Sequence, residues 1–145
     1  MEITFTIPGK PGAKGRPRFS THGGFVRSYS PKETVNYENL VKLMWTEAAK
    51  GERFGDDEML SITIRAYFEI PKSTSKKKKE AMLADDIRPV SKSDLDNIMK
   101  IICDALNGIA YRDDSRIVAA LLSKHYSEEP QVIVTIKSWG IPEKE

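Results

Sequence analysis

The stretch Met59-Leu60-Ser61-Ile62-Thr63-Ile64-Arg65-Ala66-Tyr67-Phe68-Glu69-Ile70 alternates apolar and polar side chains along its length. In an extended chain, Leu60, Ile62, Ile64, Ala66 and Phe68 share one face, and Ser61, Thr63, Arg65, Tyr67 and Glu69 share the other. That pattern is a strand with one side against a core. Such a strand is not stable alone, so the remaining chain must supply sheet partners and a layer to cover the apolar face.

The partners are readable on both sides. Glu2-Ile3-Thr4-Phe5-Thr6-Ile7 alternates in the same way and is closed by Pro8-Gly9. Residues 116–126 and Gln131 to Trp139 read as two more strands, with Glu128-Glu129-Pro130 between them as a hairpin connection. Helices supply the cover. Ser30-Pro31-Lys32-Glu33 is a helix start, with Ser30 as cap, Pro31 in the first position and Glu33 completing a capping box. Val35, Leu40, Val41, Met44, Trp45 and Ala48 are its expected inward residues, and Gly51 its stop. Residues 75–85 form a short basic helix with few apolar residues, and residues 93–108 a third helix. The fold class is therefore α+β: a small mixed sheet with packed helices.

The length of 145 residues fits a single domain, 1–145, and no internal repeat is present. Residues 8–29 form a long basic loop, with a short hairpin around His22-Gly23-Gly24-Phe25, and residues 140–145 a frayed tail. Hydrophobic residues at 39% and charged residues at 30% suit a soluble globular chain with one modest core. No apolar run is long enough to span a membrane, and the N-terminus lacks the pattern of a secretory signal. The single cysteine, Cys103, excludes an internal disulfide and a cysteine-built zinc site. A reducing cytoplasm is the expected compartment.

Net charge is only +2, but the signs are separated along the chain. Between Pro8 and Lys32 stand Lys10, Lys14, Arg16, Arg18, Arg27 and Lys32 without one acid. Lys76, Lys77, Lys78 and Lys79 form a second basic block. The acids gather at 56–58, 85–86, 94–104, 113–114 and 128–129. A protein that binds a polyanion and does metal chemistry on it shows such a separation. Lys10, Lys14, Arg16 and Arg18 are candidate phosphate contacts, with Lys76 to Lys79 as a further group for which a solvated face is an equal reading.

The chemistry concentrates in Ser93-Asp94-Leu95-Asp96-Asn97-Ile98-Met99-Lys100-Ile101-Ile102-Cys103-Asp104-Ala105-Leu106-Asn107-Gly108. At about 100° per residue, Asp96, Lys100, Asp104 and Asn107 lie on one side, with Asn97 at the edge. Ile98, Met99, Ile101, Ile102, Ala105 and Leu106 lie on the other. Any one of the polar residues is ordinary alone: an aspartate at a helix start caps, and Asp96 with Lys100 makes a common i,i+4 pair. The combination with Asp113-Asp114 just before a strand is less ordinary. Asp94, Asp96 and Asp114 in one place repel one another, and a hard divalent cation with oxygen ligands removes that conflict. With Lys100 beside them, they suit metal-assisted phosphodiester hydrolysis.

These segments resemble the RusA family of Holliday junction resolvases. The likeness is carried by residues 93–100, by Asp104-Ala105-Leu106-Asn107-Gly108 and by Ala110-Tyr111-Arg112-Asp113-Asp114-Ser115-Arg116-Ile117. Lys14-Gly15-Arg16-Pro17-Arg18-Phe19 and Tyr29-Ser30-Pro31-Lys32 add to it. The resemblance implies a dimeric, Mg²⁺-dependent endodeoxyribonuclease, with Mn²⁺ expected to substitute, that cuts four-way DNA junctions by paired symmetric nicks in recombination and repair. It implies Asp94, Asp96 and Asp114 as catalytic and metal-binding residues and Lys100 as catalytic, with Asp113, Asp104 and Asn97 as possible accessories. Branched DNA and a second copy of the chain are the implied partners. One departure is visible: Pro89-Val90-Ser91-Lys92-Ser93 stands where the best-studied branch carries a run of arginines, so the N-terminal loop would supply basic contacts instead.

Other readings stay open at this level. One is a junction-binding module whose carboxylates are structural; another is a broader flap or fork nuclease. A phosphatase with an aspartyl nucleophile would want an apolar strand before Asp94, and Ser91-Lys92-Ser93 stands there. A nucleotide-sugar transferase shares only the Asp-x-Asp pattern. His22 and His125 read as structural, Trp45 as core, and Phe19, Phe25 and Tyr29 either as loop anchors or as a wedge that stacks on bases.

Overall fold

The structure, a computed structural model, describes residues 1–14, 18–22, 25–29 and 31–140, with 18–22 and 25–29 described as backbone. In chain order the elements are β1 (Glu2–Pro8), β2 (Arg18–His22), β3 (Phe25–Tyr29), α1 (Lys32–Ala49), β4 (Met59–Glu69), α2 (Lys76–Leu83), α3 (Leu95–Leu106), β5 (Ile117–Ser127) and β6 (Gln131–Trp139). The main sheet has the order β1-β6-β4-β5, and β2 and β3 form a separate two-stranded ribbon. The long basic segment thus contains the hairpin that its glycine pair suggests, with His22 opposite Phe25.

The alternation in β4 is realised in full. Leu60, Ile62, Ile64, Ala66 and Phe68 are all buried, and they face α1 and α3 across a core that includes Phe5, Ile7, Trp45, Phe54 and Val134. Trp45 meets Phe5 edge-on at 5.7 Å between ring centroids, which fixes α1 against β1. On the opposite face Tyr67 and His125, partners across β4 and β5, stack at 4.9 Å. His125 Nδ1 lies 2.9 Å from Asp85 Oδ1 and its Nε2 lies 2.7 Å from Ser123 Oγ. Asp85 just follows α2, so this histidine ties α2 to β5, in keeping with a structural role.

Two expectations need correction. Residues 117–127 and 131–139 are not a hairpin. β5 pairs in parallel with β4 alone, while β6 runs antiparallel between β1 and β4. The short connection passes across the end of β4 and sets β5 and β6 on its two sides. The local signal of a three-residue link is outweighed because β6, with Val132, Val134 and Ile136 fully buried, gains both neighbours only in the centre. The crossover from β4 to its parallel partner carries α2 and α3, as a parallel pair requires.

The inward face of α1 is also displaced. Thr34, Val41, Trp45 and Ala49 are buried, whereas Val35 and Ala48 are exposed. Pro31 stands at the cap position and its side chain makes no capping bond, while the expected capping box rests on Ser30. Ser30 lies outside the described residues. At the other end Lys50, with φ of 51°, makes the left-handed stop one residue before Gly51.

Candidate active site

α3 is the most amphipathic helix of the fold, and its position follows from that. Ile98, Ile101, Ile102, Ala105 and Leu106 enter the core, leaving Asp96, Lys100 and Asp104 on the outer side. Cys103, at the edge, is buried as well. After the helix the chain turns back sharply. Gly108, with φ of 75°, takes a conformation that side chains resist, and its N–H donates to the Tyr111 carbonyl at 2.9 Å. The Tyr111 ring is buried and its hydroxyl donates to the Cys103 carbonyl at 3.0 Å. This return delivers Asp113 and Asp114 to the start of β5.

The result is one cleft of about 430 Å³, lined by Asp96, Lys100, Asp104 and Asp114 on an apolar wall of Met99, Cys103, Ile117 and Leu122. Three of the expected residues, Asp96, Lys100 and Asp114, are therefore brought together, and Asp104 joins them. Asp94 is not part of that lining. It occupies the cap position of α3 yet makes no side-chain capping bond, so its carboxylate is not spent on the helix end. Asp96 Oδ1 accepts from the Asn97 N–H at 3.0 Å.

Asp114 faces the later part of α3 rather than its start. Its N–H donates to Asn107 Oδ1 at 3.0 Å. Desolvation and the neighbouring charges of Asp113 and Asp104 push its carboxyl above the ordinary range. Since Asp96 and Asp104 are about 12 Å apart along the helix axis at 1.5 Å per residue, the cleft is a trough along α3. Among the described residues, no three His, Cys, Asp or Glu side chains are grouped tightly enough to hold an ion as they stand.

The remaining candidates separate into roles. Asp113 caps the single 3₁₀ turn Asp114–Arg116, accepting from the Ser115 N–H at 3.0 Å, a bond that lowers its pKa. Asn97 gives its carbonyl to the Lys14 N–H at 3.1 Å. Lys14 is not a free cation: its Nζ lies 3.1 Å from Asp104 Oδ2 and 3.4 Å from Glu38 Oε1. Burial alone would lower its pKa, but the two carboxylates outweigh that and raise it. Lys79 pairs with Glu128 at 2.9 Å, while Lys76, Lys77 and Lys78 are exposed on α2, away from the cleft lining. Arg16 and the side chains of Arg18, Phe19, His22, Phe25 and Tyr29 lie outside the described residues.

Sequence reasoning passed over two features. Asn107 positions Asp114, and its signals were its place on the polar stripe and in the 104–108 segment. Cys103 lines the cleft, but burial pushes its thiol up to about 11, so it stays protonated at neutral pH and is no nucleophile.

The model of the family "Endodeoxyribonuclease RusA" matches residues 8–137, from the end of β1 through most of β6. An uncharacterized protein of Bacillus subtilis (strain 168), YqaN, is 39% identical over 137 residues, covering 93% of this chain and 95% of its own length. A match across the acidic helix, its return and the sheet that carries them shows that the chain belongs to the RusA family of endodeoxyribonucleases.

Proposed function

We propose that this protein is a Mg²⁺-dependent endonuclease that resolves four-way DNA junctions by paired, symmetric nicks. The observation that carries the reading is the meeting of Asp96, Asp114 and Lys100 in one open cleft, in a chain of an endodeoxyribonuclease family. The residues suit a hard divalent ion. Asp114 is held above its ordinary pKa by burial and by like charge, a conflict that a cation relieves. Asp94 and Asp96 are free of ion pairs among the described residues, whereas Asp104 already has Lys14. Asp94, Asp96 and Asp114 are therefore the proposed ligands of one or two Mg²⁺, with Asp104 as a neighbour whose charge is offset. Mn²⁺ would serve the same oxygen ligands.

A divalent ion bound there activates water at neutral pH and polarises the phosphoryl oxygens. Lys100, on the same face of α3, stabilises the charge that develops on the phosphate in the transition state. The apolar wall of Met99, Ile117 and Leu122 excludes bulk water from one side of the trough, which strengthens each of these electrostatic effects.

A junction offers two equivalent strands, so a symmetric pair of sites matches it. The edge strand β5 supplies the surface for a homodimer. Its outer edge is unpaired among the described residues, Ile117 to Ser123 carries no charge, and Val118 and Leu121 are 51% and 67% exposed. Natural sheets blunt a free edge with charge or proline, and β5 has neither before Lys124.

Labelled four-way, forked, flap and linear DNA, incubated with Mg²⁺ or with EDTA, tests the reading. Symmetric nicks in the junction that require Mg²⁺ are expected. Tight binding with no cutting would turn the protein into a non-catalytic junction binder; equal cutting of flaps and forks would make it a broader nuclease.

A further inference from the structure

A second concave site lies where β4 ends, outside the acidic cleft. It has a volume of about 310 Å³ and an apolar floor of Ile70, Pro71 and Pro130. Ile70 is buried and its N–H donates to the Ser127 carbonyl at 3.1 Å, so the floor is held in place. Three lysines, Lys10, Lys72 and Lys92, also line it, and all three are exposed. Glu69 is the one acid among its lining residues. Among the described residues, none of the three lysines has a carboxylate partner.

The convergence is a product of the fold rather than of a charge run. Lys10 follows Gly9, whose φ of 91° turns the chain after β1 and whose N–H donates to the Pro130 carbonyl at 3.1 Å. Lys72 follows Pro71 in the turn after β4. Lys92 arrives from the segment before α3, two residues ahead of Asp94. Between those two, the Ser93 carbonyl accepts from Lys124 Nζ at 3.4 Å.

Ammonium groups without carboxylate partners around a hollow with apolar lining select a ligand that is anionic at its edges and flat and apolar in its middle. A phosphate backbone alone has no use for the hollow, whereas a nucleobase that has left its stack does. We propose that this cleft is a second DNA subsite, which seats an unpaired nucleotide with its base on the Ile70–Pro71–Pro130 floor and its flanking phosphates on Lys10, Lys72 and Lys92. Through residues 92–94 the bound strand continues towards the acidic cleft. The proposal rests on the branched-DNA reading for its source of unpaired nucleotides; the binding chemistry stands without it.

Lysine acylation read by mass spectrometry, in EDTA so that no strand is cut, tests the subsite. The probes are a short oligothymidylate, a blunt duplex of the same length and a four-way junction. Oligothymidylate and junction should slow acylation of Lys10, Lys72 and Lys92 several-fold, and the duplex should do so much less. No protection by oligothymidylate, or equal protection by the duplex, would overturn the proposal. The triple variant Lys10→Ala, Lys72→Ala, Lys92→Ala should flatten the log–log salt dependence of oligothymidylate binding by about 2, at roughly 0.7 per phosphate, and the triple arginine variant should retain it. A wild-type protein that cuts junctions while the alanine variant binds unchanged would remove the subsite alone. A wild-type protein that cuts nothing, yet shows the oligothymidylate protection, would remove the junction reading alone.

Discussion

Lys14 Nζ stands 3.1 Å from Oδ2 of Asp104, so a residue of the basic N-terminal segment is locked to a wall of the acidic cleft. The same segment is pinned twice more. The Lys14 N–H donates to the Asn97 carbonyl at 3.1 Å, and Gly12 lies so close to the Tyr37 ring that a Cβ there would fall 2.5 Å from it. The chain is therefore held beside α3 at Lys14, four residues before β2 begins.

That contact changes what Lys14 should do. A phosphate contact at Lys14 would lower the salt slope of DNA binding by about 0.9 when removed. With its charge committed to Asp104 and Glu38, Lys14→Ala should leave the slope unchanged and slow cleavage, and Lys14→Arg should restore the rate. Titrations of junction binding across a salt series, paired with single-turnover cleavage, check both parts.

Asp114 carries a tension between stability and activity. Its raised pKa means that its charge opposes folding: its protonated form contributes stability that is lost as pH rises through the folded pKa. Without metal at neutral pH, Asp114→Asn should therefore be neutral to stabilising, by no more than about 0.5 kcal/mol. Cleavage should fall by at least ~100-fold in Asp114→Asn and in Asp96→Asn alike, since ligand loss costs no less than loss of an outer-shell partner. Urea unfolding in EDTA and junction cleavage in Mg²⁺ measure the two effects on the same preparations.

Asn107 acts through Asp114. Removing its side chain in Asn107→Ala deletes the 3.0 Å bond to the Asp114 N–H and should cost about 1 kcal/mol of stability. Cleavage should fall roughly 10-fold, with more Mg²⁺ needed for half-maximal rate, because the carboxylate loses its fixed backbone. An unchanged Mg²⁺ requirement would leave Asn107 with a purely structural part.

The Asp85–His125 bond sets an acid limit on the α2 attachment. The hydrogen bond from His125, helped by the charges of His125 and Arg88, holds the Asp85 carboxyl below its ordinary 3.8. A lowered carboxyl pKa contributes stability above the unfolded value and loses it as pH falls through the folded one. Asp85 has a φ of 64°, which asparagine tolerates, so Asp85→Asn removes the charge without adding strain. The variant should be less stable than wild type at pH 7, and the difference should close in acid below that pKa. Denaturant midpoints at the two pH values show it.

The β5 edge should be separable from folding. Leu121 is 67% exposed, so Leu121→Glu costs the monomer little. If β5 forms the dimer contact, sedimentation velocity should show the variant shifted to monomer at concentrations where the wild type is dimeric, with circular dichroism unchanged.

Much of this molecule was legible in its sequence, where the local pattern and the tertiary demand agree. The β4 alternation predicted its inward residues without error, and the α3 stripe predicted which carboxylates share a side. The rest depended on non-local choices. Glu128-Glu129-Pro130 looks like a hairpin link because only the chain's own neighbours are visible, whereas the place of β6 is decided by β1, more than a hundred residues away. The α1 face went astray because Val35 and Ala48 are apolar by type, while the helix turns Thr34 and Ala49 inward. Lys14 was read from its charge, and its partners Glu38 and Asp104 come from two different helices. Arg16 and Arg18 keep the roles the sequence suggests only as proposals.

The central seat of β6 has a consequence for how the chain is made. β1 is synthesised before the other described strands, but among the described residues its one neighbour in the main sheet is β6, the last of those strands to be made. Until Gln131 to Trp139 is available, β1 lacks the strand it pairs with and β4 lacks one flank. Assembly of the sheet therefore waits on synthesis of β6, and a nascent chain halted before this strand exposes apolar surface instead of carrying a formed cleft.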